Sequence, residues 1–389
     1  MPETLVVGRL GQLYVAAETA YGTPPTLLAT HAMRHLSFKP SYNPFNRVNS
    51  PAKKQSPGTV ARFNRRSSAG ATVEALIQPS GTINTLAECD PILELGMGSK
   101  SNITLATTVA ASPAPTTSVF TVASATGLVA GQAILVACTG GTFPGKYVRW
   151  IVAINTLALT VAPPLPQAPA TGDAVKGCCT YKLASALASS LCLAHYPSSD
   201  TMHSQIVTGA VCEKLGFSFA QNDEARLTAS FKAKLVTKPA PTKPAAFTMV
   251  GSQNPPSGLR GELYVDTVLY KFIKLDVEID TGVLLREDTY GFASPESILM
   301  TGRRTVTLGL DAHVEDSSIY TNAVAGAHVR IHKQTGFTEG NIVAIYTPAG
   351  VDFGVPDVDD PDEVPTWAFK GVCCESADGQ NDEIVIAFA

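Results

Sequence analysis

The densest group of side chains that could do chemistry is an acidic run, PDVDDPDEVP, which carries Asp357, Asp359, Asp360, Asp362 and Glu363. Carboxylate oxygens are the ligands that Ca²⁺ prefers. However, the run is interrupted by prolines and lacks the Gly-centred, twelve-residue spacing of an EF-hand loop. This pattern favours a solvated turn over a calcium site.

The histidines and cysteines do not predict a metal centre or a nucleophile. His328 and His332 are four residues apart in strand-like sequence, which separates them by roughly 13 Å along a strand. The eight cysteines include no C-x-x-C pair, and we expect buried, reduced thiols. No catalytic carboxylate pair, nucleophile elbow or phosphate-binding loop is recognisable. We therefore expect no catalytic residue, no metal, no cofactor and no enzymatic activity.

Two long, polar loops concentrate the remaining charge. The first loop, residues 41–66, carries the basic residues Arg47, Lys53, Lys54, Arg62, Arg65 and Arg66. The second loop, residues 281–303, carries the acidic residues Glu287, Asp288 and Glu296 beside Arg286, Arg303 and the following Arg304. The charge of the two loops predicts salt bridges between subunits. Nucleic-acid binding by the basic loop and plain solvated loops are the alternatives.

Strands with one apolar and one polar face position these loops. Ile273, Leu275, Val277 and Ile279 alternate with polar residues over 272–280, and the same period-2 pattern returns over 304–315. The polar side of these two strands carries five acidic residues, Asp276, Glu278, Asp280, Asp311 and Glu315, against Lys274 and His313. A hairpin is predicted within residues 204–236.

The order of elements repeats along the chain. In the first part it is a strand (33–39, with Leu36 and Phe38 facing inward), the first loop, a strand (70–77) and a helix (about 84–96). In the second part it is a strand (272–280), the second loop, a strand (304–315) and a helical segment (318–326). We predict a discontinuous first domain (1–104 and 177–236), a small inserted β-domain (105–176) flanked by hinge-like segments, a proline-rich linker (237–260) and a second domain (261–389).

Composition limits the class of protein. The chain has 389 residues, 45% of them hydrophobic and 16% charged, with 31 glycines, 27 prolines and a net charge of −4. These values favour a mainly β protein with many turns. The slight negative charge argues against a protein that holds nucleic acid by bulk charge. No apolar run is long enough to span a bilayer, and we expect a soluble protein made in a cytoplasm.

Five stretches, taken in order, resemble the tail tube proteins of bacteriophages with long non-contractile tails. They are ETAYGTPPT, LSFKPSYNPFNR, ECDPILELGMG, LREDTYGFASPESILMTGRRTVTLGL and the C-terminal VPDVDDPDEVPTWAFKGV with NDEIVIAFA. The resemblance covers nearly everything outside residues 105–176. It implies an antiparallel β-sandwich or barrel fold of the tail-tube type, with flanking short helices and an accessory β-domain, and the repeated order of elements predicts two such folds in tandem.

The resemblance also implies a function. Family members form rings that stack into a tube around a tape measure protein, and double-stranded DNA later passes through the tube. A tail terminator and baseplate or tail-tip proteins would cap it, in a virion tail assembled in the cytoplasm of the host bacterium. The long loops and an N-terminal arm (1–30) would reach the next ring.

Two expectations follow from the tandem pattern and the charges. If each chain supplies two tube folds, three chains would close a pseudo-hexameric ring; a hexamer of whole chains is the alternative. The five acidic residues would face the lumen and repel DNA phosphates, or else face outer solvent or a ring neighbour. The rival function is a monomeric β-rich binding or adhesion module that uses residues 105–176 for recognition.

Overall fold

The computed structural model describes most of the chain. It covers residues 11–43, 46–49, 62–65, 67–186, 189–197, 203–240, 242–249, 255–258, 260–287, 294–300, 302–313, 318–359 and 366–389, with the backbone alone at 46–49, 62–65, 299–300 and 357–359. The protein is mainly β, with several antiparallel sheets. Both α-helices have eight residues, and no helix in the described ranges is long and apolar enough to cross a membrane.

In the described residues before 240, the regular structure consists of strands, one α-helix and a short 3₁₀ helix at Ala29–His31. In chain order the strands and the α-helix are β1 (Gln12–Ala17), β2 (Ala32–Met33), β3 (Ser37–Asn43), β4 (Asn46–Asn49), β5 (Arg62–Arg65), β6 (Ser68–Leu76), α1 (Asp90–Met97), β7 (Gly98–Asn102), β8 (Ala106–Thr108), β9 (Val119–Thr121), β10 (Ala133–Cys138), β11 (Gly145–Asn155), β12 (Ala158–Ala162), β13 (Ala174–Gly177), β14 (Cys179–Leu183), β15 (Leu191–Tyr196), β16 (Gln205–Ala220), β17 (Arg226–Ala233) and β18 (Leu235–Thr237).

The later elements are β19 (Gly261–Val265), β20 (Val268–Leu269), β21 (Phe272–Asp280), β22 (Val283–Arg286), β23 (Ser297–Met300), β24 (Thr305–His313), α2 (Ser318–Ala325), β25 (Ile331–Thr335), β26 (Val343–Tyr346), β27 (Val351–Phe353), β28 (Asp357–Asp359), β29 (Thr366–Cys373) and β30 (Val385–Phe388).

The central sheet runs β3–β6–β17–β16–β21–β24–β29 and ends on β27 and β28, which both pair with β29. Strand β21 alternates as the sequence predicts from residue 274 onward, but Ile273, which was predicted to face inward, is only half-buried because the register shifts between Phe272 and Lys274. Leu275, Val277 and Ile279 are buried, whereas Glu278 is exposed. The apolar face contributes to one large core that also includes α1 and α2. The opposite face of the sheet is polar and solvent-accessible.

The chain contains two halves with the same strand connections. In the N-terminal half (β1–β6, α1 and β15–β18), β2–β1–β15–β16–β18 forms one layer and β3–β6–β17–β16 the other. In the C-terminal half (β19–β30 with α2), β20–β19–β25–β26–β30 and β21–β24–β29 with β27 and β28 repeat that order. Each half places a hairpin, β4–β5 or β22–β23, between its first two central strands.

The six strands β8–β13 form a small barrel between β7 and β14. Their order is β8–β13–β10–β11–β12–β9. A bridge between Val109 and Val122, with the Ala110 and Ala123 amides donating to the Thr121 and Thr108 carbonyls, joins the two edges. Closure leaves the sheet without a free edge. The barrel has its own apolar core, which includes Phe120.

The structure corrects several local predictions in the N-terminal half. The strand predicted over 33–39 lies at Ser37–Asn43, and Leu36 is 51% exposed rather than inward. Helix α1 begins at Asp90 instead of about residue 84. It ends against Gly98, whose φ of +89° is the left-handed cap conformation. Gly96 lies inside the helix, where an added Cβ would be 2.7 Å from Leu215.

Segments predicted as arms, loops or hinges contain regular structure. Gln12–Ala17 of the expected N-terminal arm is a buried strand of the chain's own sheet. Both long loops contain a two-stranded hairpin. The proline-rich linker packs on the N-terminal half, where Ala240 is buried and the Thr248 amide donates to the Ala29 carbonyl. The barrel packs against the C-terminal half instead of swinging on hinges.

Candidate assembly interface

The two halves are joined by a seam inside the central sheet. The last part of β16, Lys214–Ala220, pairs antiparallel with Lys274–Asp280 of β21. In the fold repeat, this part of β16 corresponds to β27 and β28, and β21 corresponds to β3. In the order of strands across the sheet, the seam therefore joins the last strand of the N-terminal half to the first strand of the C-terminal half. The two remaining edges of the central sheet, β3 and β27–β28, are the same two strand types without a partner strand in the described residues, although Val351 of β27 is bridged to Val329.

Polar contacts link β16 to β21 on the exposed side of the seam. Lys214 Nζ lies 2.6 Å from Glu278 Oε1. Ser218 Oγ donates to Asp276 Oδ1 at 2.7 Å, and Asp276 also pairs with Lys274 on its own strand. The bond to Glu278 is the largest cause that raises the pKa of Lys214. A groove of about 750 Å³ crosses this face over the seam.

The repeat transfers the register of this seam to the free edges. Strands β6 and β24 are equivalent in the repeat, so the residues that pair with them can be compared. Lys39 of β3 then occupies the position of Asp276 in β21, and Ser41 occupies that of Glu278. Relative to β17 and β29, Asp359 of β28 occupies the position of Ser218 in β16. If the edges paired like the seam, Lys39 would stand opposite Asp359.

The structure separates the predicted loop residues. Lys53, Lys54, Arg66, Asp288 and the acidic Glu315 lie outside the described residues, as do Asp360, Asp362 and Glu363 of the acidic run. Arg47, Arg62 and Arg65 belong to β4 and β5, where only the backbone is described. At the second loop, Arg286 ends β22, and Glu287 and Arg303 are exposed.

Arg304 makes an intramolecular network instead of lying on a projecting arm. Its Nε donates to Glu383 Oε1 at 3.0 Å, Nη1 donates to the Ala184 carbonyl at 3.0 Å, and Nη2 donates to Asn381 at 3.1 Å. Its side chain is only 13% exposed. This arginine therefore ties β24 to the segment that follows β14.

Four of the five predicted lumen acids lie together on the polar face of the central sheet, but cations accompany them. Asp276, Glu278 and Asp280 share β21, and Asp311 lies on β24 opposite Lys274. Lys214 and Lys370 lie on the same face, on β16 and β29. The described part of this face therefore carries mixed charge rather than an uninterrupted acidic surface.

Sequence reasoning missed the interface that holds the barrel. Ala133, Leu135, Val148 and Trp150 of the barrel pack on the outer sheet of the C-terminal half, against residues that include Ile342, Ala344 and Tyr346. Trp150 stacks on Tyr346 at 5.6 Å with 12° between the rings. A continuous apolar run such as NIVAIY indicates burial on both faces of a strand, and this signal could have predicted the contact.

Buried polar contacts fix the same interface. Arg149, fully buried, donates from Nη1 to Glu262 Oε1 at 2.7 Å. The Gln334 side chain accepts from the Val148 amide at 2.8 Å and donates to the Lys146 carbonyl at 2.9 Å. Glu339 bridges Lys146 and Lys176, and both amines hold its pKa below the usual range. Contacts of this kind orient the barrel rigidly on the sheet.

The cysteines contribute to packing. Seven of the eight thiols are buried, all are free, and Cys374 is half-buried. Burial raises the pKa of Cys89 and of Cys212 to about 12, so these thiols stay protonated at neutral pH. Within the described ranges, no group of three or more His, Cys, Asp or Glu residues could hold a metal ion.

Comparison with known proteins did not identify a relative of this chain. No protein-family model matches the chain, and no curated protein matches it significantly.

Proposed function

We propose that this chain is a structural protein of a bacteriophage tail, three copies of which close a pseudo-hexameric ring that stacks into the tail tube. The observation that carries the proposal is the seam between β16 and β21. It joins two halves of the same topology edge to edge and leaves the corresponding edges, β3 and β27–β28, at the ends of the central sheet. A head-to-tail contact of this kind closes into a ring when the rotation allows.

Charge supports pairing between these edges. By sequence β28 is acidic, with Asp357 and Asp359, whereas β3 carries Lys39 and precedes the basic loop. Pro40 stands at the position of Val277 and has no N–H to donate, which suits an edge strand kept from random pairing. The proposed seam therefore depends on the residues on either side of Pro40 and on the charge pair.

The polar face of the central sheet would then line the channel. Its carboxylates are partnered by Lys214, Lys274 and Ser218. Tight DNA binding requires unpaired cations that displace counterions from phosphates. A face whose cations and anions already neutralise each other offers DNA little net attraction, so a duplex could pass without being held. In the tail, the partners would be the tape measure, terminator and tip proteins.

A charge swap tests the proposed seam. Lys39→Glu places like charges opposite each other and should abolish rings and tubes, as seen by analytical ultracentrifugation and negative-stain microscopy. The double variant Lys39→Glu with Asp359→Lys restores opposite charges and should assemble again. Lys238→Glu, at an exposed lysine outside the central sheet, is the matched control and should assemble like the wild type. If the Lys39→Glu variant assembled as well as the wild type, the proposed pairing of β3 with β28 between chains would be wrong.

A further inference from the structure

A cleft lies where the barrel, β14 and the C-terminal half meet. Its volume is about 390 Å³, within the range of small-molecule sites. One wall is apolar and is formed by Ala130, Val152, Ala162 and Pro348, and polar side chains complete the lining: Lys182, Arg330, Ser376, Gln380 and Asp382. The stacked rings of Trp150 and Tyr346 close it on the inner side.

Strand register brings the polar groups together. Val385 of β30 pairs with Lys182 on one side and with Tyr346 on the other. Lys182 and Tyr346 are therefore two strands apart, roughly 10 Å across the sheet. The Arg330 guanidinium is held beside them by a 3.1 Å bond from Nε to the Pro348 carbonyl.

The amine of one cleft residue has no acceptor among the described residues. The Lys182 amine lies against Gly131, where it would clash with an added Cβ, and it has no hydrogen-bond or ion-pair partner among the described residues. Trp150 is 2% exposed, and its Nε1–H has no partner in the part of the chain that the structure describes. This N–H is enclosed by protein atoms, so Trp150 contributes its ring to the cleft rather than a hydrogen bond.

One acidic residue, Asp382, is also part of the lining, and its carboxylate accepts hydrogen bonds from a neighbouring residue. Asp382 accepts from the Ser376 amide at 2.9 Å and from the Ser376 hydroxyl at 2.6 Å. Two cationic side chains and the ring of Trp150 thus line one small cleft, and the carboxylate in the same lining already accepts two hydrogen bonds from Ser376. An oxyanion fits this donor set, and the apolar wall fits a small organic body attached to it.

We infer that this cleft binds a small oxyanion-bearing ligand of about the size of an acidic monosaccharide, through the cations of Lys182 and Arg330, with the ring of Trp150 as part of the wall. The oxyanion is a carboxylate or a phosphate. This activity is independent of ring assembly and assigns the barrel interface a binding role in addition to its structural one.

Tryptophan fluorescence provides the readout, because the chain has only two tryptophans, Trp150 and Trp367. In the Trp367→Phe protein, emission from Trp150 reports directly on the cleft. Titration with glucuronate should give a saturable change at millimolar concentration, whereas glucose, which lacks the carboxylate, should not. Saturation with inorganic phosphate alone would also support the oxyanion site and would identify phosphate as its source. Saturation-transfer NMR on the unmodified chain repeats the measurement without a substitution.

The variants decide whether the cleft itself is the site. Lys182→Gln and Arg330→Gln should each weaken binding by about tenfold, the typical effect of losing one charge-assisted hydrogen bond. Lys238→Gln, an exposed lysine outside the cleft, should bind like the wild type. No saturation by glucuronate or phosphate, equal binding of glucose, or unchanged affinity in Lys182→Gln would overturn the inference.

Discussion

Among single residues, Lys333 is an unusual cation because it is buried. It is 1% exposed on β25, where Nζ donates to the Gln334 carbonyl at 2.9 Å and lies 4.7 Å from the centre of the Phe272 ring. Burial lowers the pKa of this lysine from 10.5 to about 7, and Glu262 opposes the shift. The folded protein therefore prefers the neutral amine.

The shift predicts a pH dependence of stability. Below pH 7 the lysine is charged in both states, and the cost of burying the charge is fully present. As the pH rises from about 7 towards 10.5, the folded state loses the proton while the unfolded chain keeps it, so the free energy of unfolding increases. Urea unfolding across this lower alkaline range should show the wild type gaining stability relative to Lys333→Met. Parallel pH profiles of the two proteins would contradict the assignment.

Burial of individual side chains could be predicted only where a strand pattern governs it. Alternation along 274–280 and 305–313 predicted which side chains are buried, because a strand has only two faces, and it failed at Ile273, where a register shift interrupts β21. The same rule could not find the pair Arg149–Glu262, whose members are 113 positions apart. Arg149 is the only charge in the apolar run YVRWIVAI. Such a residue indicates a buried partner, but the fold alone identifies that partner.

At the scale of elements, the two halves cover the same apolar surface by different means. In the N-terminal half, Phe247 and Leu27 pack on the outer face of the sheet, and Phe247 meets Tyr14 edge-to-face at 5.7 Å. In the C-terminal half, the barrel covers that face. The barrel is therefore part of the structural core of this chain, and the hinge-like flanks predicted from composition do not act as free hinges. The composition of a flanking segment suggests flexibility, but it does not show which surface the inserted domain packs against.

Removal of the barrel tests this role. Asn102 pairs with Cys179 at the ends of β7 and β14, so an Asn-Gly turn can replace residues 103–178 and keep the hairpin. We expect the deletion to expose Ile342, Ala344 and Tyr346, to increase binding of an apolar dye and to lower solubility.

The control restores polarity without restoring the barrel. Ile342→Thr with Tyr346→Thr in the deletion protein should recover part of the solubility. A deletion protein as soluble and as stable as the full chain would show that the barrel is a dispensable appendage.

At the scale of the whole molecule, the tandem repeat was predictable as an order of elements, but the seam was not. The sequence places two similar sets of elements one after the other and gives no register between β16 and β21, because a pairing between strands so far apart along the chain depends on the complete fold. The structure supplies that register. It also shows that β3 of the N-terminal half lies at one end of the central sheet and that β27–β28 of the C-terminal half lie at the other. A chain built in this way has one seam of its own, and we propose that it forms the corresponding seam with a neighbour.

Electron cryomicroscopy of the assembled full-length protein would show directly whether neighbouring chains repeat the internal seam. We predict stacked rings of three chains, each ring with six similar wall segments, in which β28 of one chain pairs with β3 of the next. Intrachain and interchain seams would alternate around the ring. Six full-length chains in a ring, or dispersed particles under all assembly conditions, would contradict this arrangement, and the second result would favour a monomeric binding module.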